Sequence, residues 1–445
     1  MAHTEQHIVV TGGRPLHGSV RVPAAKNSVL PLLAASMLCT GGVRLTGVPP
    51  LSDVACGLEL LRSAGCRALW RDGVVCVSGP PTRGTLAEET ARQMRASILF
   101  CAPLLARLGR AETVLPGGCD LGARPIDLHL AGLVQMGAQV WADDPGRLVL
   151  TAPAGLHGAE LVLHFPSVGA TETLLLAAAC ARGTTILRGA AREPEIVDLA
   201  RFLNCCGACI EGAGGPVLRI EGRRSLGGCS YSPVPDRIFA ATLACAAAAA
   251  GGQVELAACP PDLYAPALDI LEAMGCRIER GASAVRVARF GRLHGVGRVF
   301  TGVYPALATD AAPPLAAAML CAEGESSIED VVFERRFACA EGFTAMGAQA
   351  VVTGRTLTVR GTPLHAATVD APDLRGGAAL VIAALAAKGS SVIRRTAHID
   401  RGYADLAETL AALGAQISCK MAAGGGLFKK TSTKNEIHLA IGAKR

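Results

Sequence analysis

One phrase recurs six times along the 445-residue chain: an amphipathic run, a glycine, a small residue and the start of an apolar strand. The copies are LRSAGCRAL at Gly65, LVQMGAQV at Gly137, FLNCCGACI at Gly207, LEAMGCRI at Gly275, FTAMGAQA at Gly347 and LAALGAQI at Gly414, spaced by about 70 residues. Each glycine stands where a helix ends in a left-handed cap and the chain turns into a strand. A second phrase precedes it in every unit, an Ala- and Leu-rich run closed by glycine, as in KNSVLPLLAASMLCTGG, MRASILFCAPLLARLGR, GATETLLLAAACARGTT and DRIFAATLACAAAAAGG. The fifth and sixth copies are TDAAPPLAAAMLCAEGES and LRGGAALVIAALAAKGSS. These runs are apolar almost all round, so they read as buried helices. TTILRGA, GQVELAA, SSIEDVV and SSVIRRT, which follow, read as strands. The repeat therefore predicts six units of strand, buried helix, strand, outer helix and two strands, an α/β fold.

Half of the residues are apolar, only 16 are aromatic, and 18% are charged, a composition that excludes disorder along most of the length. Seventeen cysteines and an N-terminus, MAHTEQHIVVTGG, without a secretory apolar region predict a reducing cytoplasm and no disulfide framework. The longest apolar stretch, Ile238 to Gly252, falls short of the ~18–20 residues of a membrane span. Of the net charge of +6, four charges belong to residues 421–445, a Gly-led basic segment outside the repeat that reads as a flexible tail. The remaining body is close to neutral.

Position within a repeat is itself informative, because equivalent loops face equivalent directions. The buried helices start at Lys26-Asn27, Arg95, Ser167-Val168-Gly169, Asp236-Arg237, Asp310 and Arg375. Ser167 and Asp310 are ordinary N-cap residues. Lys26, Arg95, Arg237 and Arg375 oppose the helix macrodipole, which points to an anion between them. The loops PGGCDLGARPID (116–127), AREPEIVD (191–198), FERRF (333–337) and HIDRGY (398–403) form a second polar set. Together Lys26, Arg95, Arg124, Arg336, Arg375 and Arg401 describe a cationic pocket at helix N-termini, suited to a substrate with several anionic groups. Cys119 sits between flexible glycines and near cations, a setting that favours proton-transfer or thiolate chemistry. Cys206 and Cys209 form a CxxC that coincides with the helix-end phrase of unit three and has no second pair, so it reads as packing rather than a zinc or redox motif. His129, His164 and His398 are isolated, and no metal, nicotinamide or other cofactor is indicated, nor a nucleic-acid partner.

The segments AAKNSVLPLLAA, QMRASILF, LPGGCDLGARPIDLHL, PSVGATE, AAREPEIVD, PDRI, FERRF, PDLRGGAALV and HIDRGY, in this order, resemble the UDP-N-acetylglucosamine enolpyruvyl transferase family from about Ile8 to Ile417. The resemblance implies two inside-out α/β domains of three repeats each, with the active site in the cleft between them. Its expected boundaries are residues 1–24 completing the C-terminal domain, 25–235 as the N-terminal domain, 236–420 as the C-terminal domain, and the tail at 421–445. It further implies transfer of an enolpyruvyl group from phosphoenolpyruvate to the 3-hydroxyl of UDP-N-acetylglucosamine through a tetrahedral ketal, the first committed step of peptidoglycan synthesis. Carried over by motif, Cys119 is the general acid and Asp310 the base. Lys26, Asn27, Arg124 and Arg401 bind phosphoenolpyruvate. Arg95, Arg124, Pro125, Ile126, Asp127, Leu128, Ser167, Val168, Asp310 and Val332 bind the nucleotide sugar.

Three positions depart from the family pattern. Leu307-Ala308-Thr309-Asp310-Ala311-Ala312-Pro313-Pro314 keeps only Thr-Asp of the usual Phe-Pro-Thr-Asp-Met-Gln-Ala-Gln, Phe239 replaces a usual Glu, and Arg335 a usual Asn. The other readings are a catalytically impaired, nucleotide-sugar-binding paralogue with a regulatory role, and 3-phosphoshikimate 1-carboxyvinyltransferase of the same fold.

Overall fold

The six repeat glycines all adopt left-handed backbone conformations, with φ from +87° at Gly347 to +109° at Gly275. In each case the following N–H, that of Cys66, Ala138, Ala208, Cys276, Ala348 or Ala415, donates 3.0 Å to the carbonyl five residues earlier. That bond closes the helix end and turns the small side chain inward. The structure, a computed structural model, describes residues 6–117, 125–143 and 146–421. The tail from 422 onward, and the loop positions that include Cys119 and Arg124, lie outside the described residues.

The strands expected after the buried helices are present at Thr184–Arg188, Gly252–Ala257, Glu325–Glu329 and Ser390–Arg394. Helices Lys26–Ser36, Val168–Ala178, Arg237–Ala250, Ala312–Met319 and Leu374–Ala386 are buried nearly all round. Unit two differs from the expectation of one continuous helix. Its run is a 3-10 helix Arg95–Phe100 followed by an α-helix Cys101–Leu108. Pro103 falls in the first turn of that α-helix, where its missing N–H has no intrahelical acceptor to lose.

The apolar side chains form two separate cores. One gathers buried residues from Ala24 to Leu226, the other those from Ile8 to Val22 and from Phe239 to Ala415. In the second, the helices Arg237–Ala250, Ala312–Met319 and Leu374–Ala386 all pack on one another. Strand Gln6–Thr11 lies between Ser390–Arg394 and Gln416–Met421, antiparallel to both, so the start of the chain completes the last sheet.

Within each core, repeat units also share strands. Leu16–Arg21 pairs with Gly252–Ala257 of the second core, and Ser230–Tyr231 pairs with Val43–Leu45 of the first. The chain therefore crosses between cores twice, at 22–25 and 232–236. The crossings run side by side: Ala25 N–H donates to Val234 O at 2.8 Å and Asp236 N–H to Pro23 O at 2.8 Å. Lys26 and Arg237 each open a buried helix immediately after a crossing, which brings two cations to one seam.

Candidate active site

Both crossings end in capped helices. The Asp236 carboxylate accepts the N–H groups of Ile238 and Phe239 at 2.9 Å and also that of Lys26 at 3.4 Å, tying the two helix starts together. The Lys26 ammonium reaches forward to Asp53, with Nζ 3.4 Å from Oδ2. Asp53 is buried in the first turn of helix Ser52–Ser63, an outer helix of the first core. Its other oxygen accepts from Arg401 Nε at 3.0 Å, and Arg401 belongs to the 3-10 helix Thr396–Arg401 of the second core. One carboxylate thus holds two cations that are far apart in sequence and joins the two cores.

A second triad surrounds Asp310. This residue lies in a 3-10 turn, Thr309–Ala311, ahead of helix Ala312–Met319. Pro313 and Pro314 fall in the first turn of that helix, where N–H groups have no intrahelical acceptor, so they leave Asp310 in the seam. Arg336 Nη2 donates to Oδ1 at 3.0 Å, and Arg375 donates through Nε and Nη2 to Oδ2 at 3.2 and 3.0 Å. The two arginines are almost fully buried, while the Asp310 side chain keeps 27% exposure. Burial pushes the Asp310 carboxyl up, yet Arg375, Arg336 and Lys26 outweigh it and hold the group well below the usual carboxylate range. Because Lys26 contributes to this field, the two triads belong to one electrostatic site.

The arginines are themselves braced. Arg336 donates from Nε to Thr309 Oγ1 at 2.9 Å, and Asp330, wholly buried, accepts from Thr309 and from the N–H groups of Val332 and Phe333 at 2.8 and 2.7 Å. The Arg375 guanidinium lies 5.1 Å over the Tyr403 ring, whose hydroxyl bonds Thr242 Oγ1 at 2.9 Å. Phe239 is buried, with its ring 6.1 Å from that of Tyr403, so it fills space behind the tyrosine that supports Arg375. Arg335 is exposed. Arg375 Nη1 is buried without an acceptor among the described residues.

Arg237 pairs with Glu195 through Nε at 3.0 Å, both nearly buried. Glu172, in helix Val168–Ala178, has its carboxyl pushed well up by burial and by Glu195 and Glu193. Asp198 accepts from Ser28, from Tyr231 OH at 2.7 Å and from Val234 N–H at 3.1 Å, fixing helix Pro194–Cys205 to both crossings. In unit two, Arg95 Nη2 donates to Pro125 O at 3.3 Å. Asp127 is exposed at the start of helix Asp127–Gln135, with Ile126 and Leu128 half-buried beside it. His129 bonds Thr173 Oγ1 at 2.8 Å. Ser167 caps helix Val168–Ala178 through Ala170 N–H, and Asn27, Val168 and Val332 are half-buried at their helix or turn starts.

Cations of the expected pocket and of the helix starts therefore meet carboxylates within the chain: Asp53 for Lys26 and Arg401, Glu195 for Arg237, Asp310 for Arg336 and Arg375. Sequence reasoning passed over Asp53 and Asp330, and quoted Glu195, Asp198 and Tyr403 only as parts of the loops AREPEIVD and HIDRGY, without a role. The signal for Asp53 was weak but present: a carboxylate beside Val54 on the inward side of an amphipathic helix. Among the described residues, no group of three or more His, Cys, Asp or Glu side chains is placed to hold a metal, and no helix is long and apolar enough to cross a membrane.

The comparisons agree with this geometry. Residues 10–410 match the family model of EPSP synthase (3-phosphoshikimate 1-carboxyvinyltransferase). The UDP-N-acetylglucosamine 1-carboxyvinyltransferase of Solidesulfovibrio magneticus is 44% identical over 92% of this chain and 98% of its own. That of Symbiobacterium thermophilum, numbered 1, is 43% identical over 93% and 95%. Among solved structures, the enolpyruvyl transferase NikO from Streptomyces tendae superposes with a TM-score of 0.85 at 28% identity, over 94% of this chain and all of its own. An EPSP synthase from Acinetobacter baumannii shares the fold, with a TM-score of 0.74 at 20% identity over 94% of this chain and all of its own. A double crossover that gathers ionic triads between two three-unit cores, together with these matches, makes the chain a member of the UDP-N-acetylglucosamine 1-carboxyvinyltransferase family of enolpyruvyl transferases.

Proposed function

We propose that the chain transfers the enolpyruvyl group of phosphoenolpyruvate to the 3-hydroxyl of UDP-N-acetylglucosamine and releases phosphate. The observation that carries this reading is the joined pair of triads, Lys26–Asp53–Arg401 and Arg336–Asp310–Arg375. A substrate bearing both a phosphate and a carboxylate needs several cations at one place, and addition to its double bond needs a base beside them.

In the proposed reaction Asp310 takes the proton of the sugar 3-hydroxyl as the oxygen bonds to C2 of phosphoenolpyruvate. The methylene carbon C3 gains a proton, assigned to Cys119 on the strength of the sequence resemblance. The resulting tetrahedral ketal then loses a proton from C3, the C2–O bond to phosphate breaks, and the double bond is restored. Lys26, Arg124 and Arg401, with Asn27 beside them, neutralise the phosphate and carboxylate. Arg95, Arg124, the stretch Pro125 to Leu128, Ser167, Val168 and Val332 orient the nucleotide sugar. Asp53 is a positioning residue that holds Lys26 and Arg401 together before substrate arrives.

The depressed proton affinity of Asp310 fits this order of events. Once substrate anions neutralise the cations around it, the opposing effect of burial prevails, and the carboxylate becomes a better base when the hydroxyl is in place. Residues 25–235 and 236–420 are taken as the two domains whose cleft closes on the substrates and excludes water. Sixteen free thiols among the described residues suit a reducing compartment, and the cytoplasm is the proposed location.

Phosphate release tests the reading. Phosphoenolpyruvate with UDP-N-acetylglucosamine is expected to yield phosphate, shikimate 3-phosphate in its place to yield none, and Cys119→Ser to lower the rate by at least ~10²-fold. Nucleotide-sugar binding without phosphate release from the wild-type protein would overturn it in favour of a regulatory paralogue. An epoxide phosphonate resembling phosphoenolpyruvate is expected to alkylate Cys119 alone, read by peptide mass mapping.

A further inference from the structure

Beyond the seam, helix Pro194–Cys205 ends among thiols that the transfer reaction does not use. Cys206, buried at the helix C-cap, has its sulfur 3.4 Å from that of Cys229, which is half-buried just before strand Ser230–Tyr231. The backbones that carry them are already fastened. Gly227 N–H donates to Cys206 O at 2.7 Å, and Arg44 N–H donates to Cys229 O at 2.9 Å. A disulfide needs its sulfurs at about 2.05 Å, so roughly 1.4 Å of closure remains, within reach of small side-chain rotations. Cys205 is exposed next in sequence, and Cys39, shortly after the first buried helix, also interacts with Cys206. The CxxC partner suggested by spacing, Cys209, is not the one the fold selects. Cys209 opens strand Cys209–Glu211 and pairs with Glu221 in the sheet.

We propose that Cys206 and Cys229 form a dithiol oxidation site, which a peroxide converts to a reversible disulfide closing the 207–228 loop. The half-buried Cys229 sulfur attacks one peroxide oxygen. The O–O bond breaks, one water leaves, and Cys229 becomes a sulfenic acid. The Cys206 sulfur then attacks the Cys229 sulfur and expels hydroxide, which departs as a second water with the proton of Cys206. Two thiols supply the two electrons that reduce one peroxide to two waters.

Contact with Cys39 and burial push the Cys206 thiol up, and burial together with Cys206 and Cys205 pushes Cys229 up, so the attack on peroxide draws on a small thiolate fraction and is slow. The bond braces a joint that matters for the fold. Asp198, on the same helix, already holds Tyr231 and Val234 of the second crossing. A covalent tie at the far end of that helix closes the joint from both sides.

The test is oxidation of the full-length protein with one to two equivalents of hydrogen peroxide, followed by alkylation, peptide mapping and thermal melting. The expected result is one Cys206–Cys229 bond, two fewer alkylatable thiols and a melting temperature raised by several degrees, all reversed by dithiothreitol. Cys205→Ser is expected to form the same bond, and Cys229→Ser to form none and to melt at one temperature before and after treatment. A bond from Cys229 to Cys205 or Cys39, sulfinic acid at Cys229 without any disulfide, or a peroxide-dependent melting shift that persists in Cys229→Ser would each overturn the proposal.

Discussion

Asp310 is held by two buried arginines and sensed by Lys26, so its charge is fixed by the environment and not by its own affinity for a proton. Asp310→Asn keeps the shape and removes the base. On the proposed reaction kcat is expected to fall by about 10²–10⁴-fold with a much smaller change in KM for the nucleotide sugar, measured by steady-state phosphate release. A kcat within threefold of wild type would remove Asp310 from the chemistry. His129 offers a stability prediction at the same scale. Burial, helped by Arg95 and opposed by Asp127, lowers its pKa to about 4. The unfolded chain binds that proton near pH 6.5, so the neutral ring stabilises the fold fully above that pH, and the contribution fades as pH falls toward 4. In urea melts, wild type is expected to lose ~2–3 kcal/mol more than His129→Gln between pH 7 and 4.5. Parallel losses would contradict it. Lys26 and Arg375 were legible as candidate site residues because a cation opening an apolar helix is anomalous on its own, and Arg336 and Arg401 because they sit in the polar loops FERRF and HIDRGY. Asp53, which joins Lys26 to Arg401, was not, since a carboxylate near a helix start is ordinary in any sequence.

At the scale of the element, the helix ends were the most legible feature. A left-handed glycine followed by a small residue is a local requirement, met by two backbone hydrogen bonds that need nothing from the rest of the molecule. Gly207 illustrates its cost. A Cβ there meets nothing within 4 Å, so Gly207→Ala suffers from φ +98° alone. The expected loss is ~1–2 kcal/mol in urea unfolding with activity retained. Gly117 is the opposite case, since a Cβ would come within van der Waals overlap of the Arg92 carbonyl, and the approach to the Cys119 loop must be bare. The broken helix of unit two was less legible. A run such as MRASILFCAPLLARLGR has the hydrophobic pattern of one helix, and only Pro103 marks where the 3-10 turn gives way.

The whole molecule depends on strands that leave their own unit. Gln6–Thr11 is an inner strand of the last sheet, paired on both edges, while Leu16–Arg21 stands at the edge of a second-core sheet. Deleting residues 1–11 is expected to split that last sheet into two unpaired edges and to unfold the second core at lower urea than the first, read as two separate transitions. One unshifted transition would show that the strand is dispensable. The same long-range pairing explains why the two crossings meet. Ala25 and Val234 are bonded to each other although more than two hundred residues separate them, and that contact sets Lys26 beside Asp236.

The sequence by itself determined the six units, their caps, the buried helices and the cations that begin them, because each follows from hydrophobic period, glycine stereochemistry and charge within a few residues. Which carboxylate meets which cation, and that Cys206 faces Cys229 instead of Cys209, was decided only in the tertiary structure. Those pairings come from strands shared between repeat units and from helix packing, and they join residues 23 (Cys206 and Cys229) to 348 (Asp53 and Arg401) positions apart, beyond any rule that acts within a few residues.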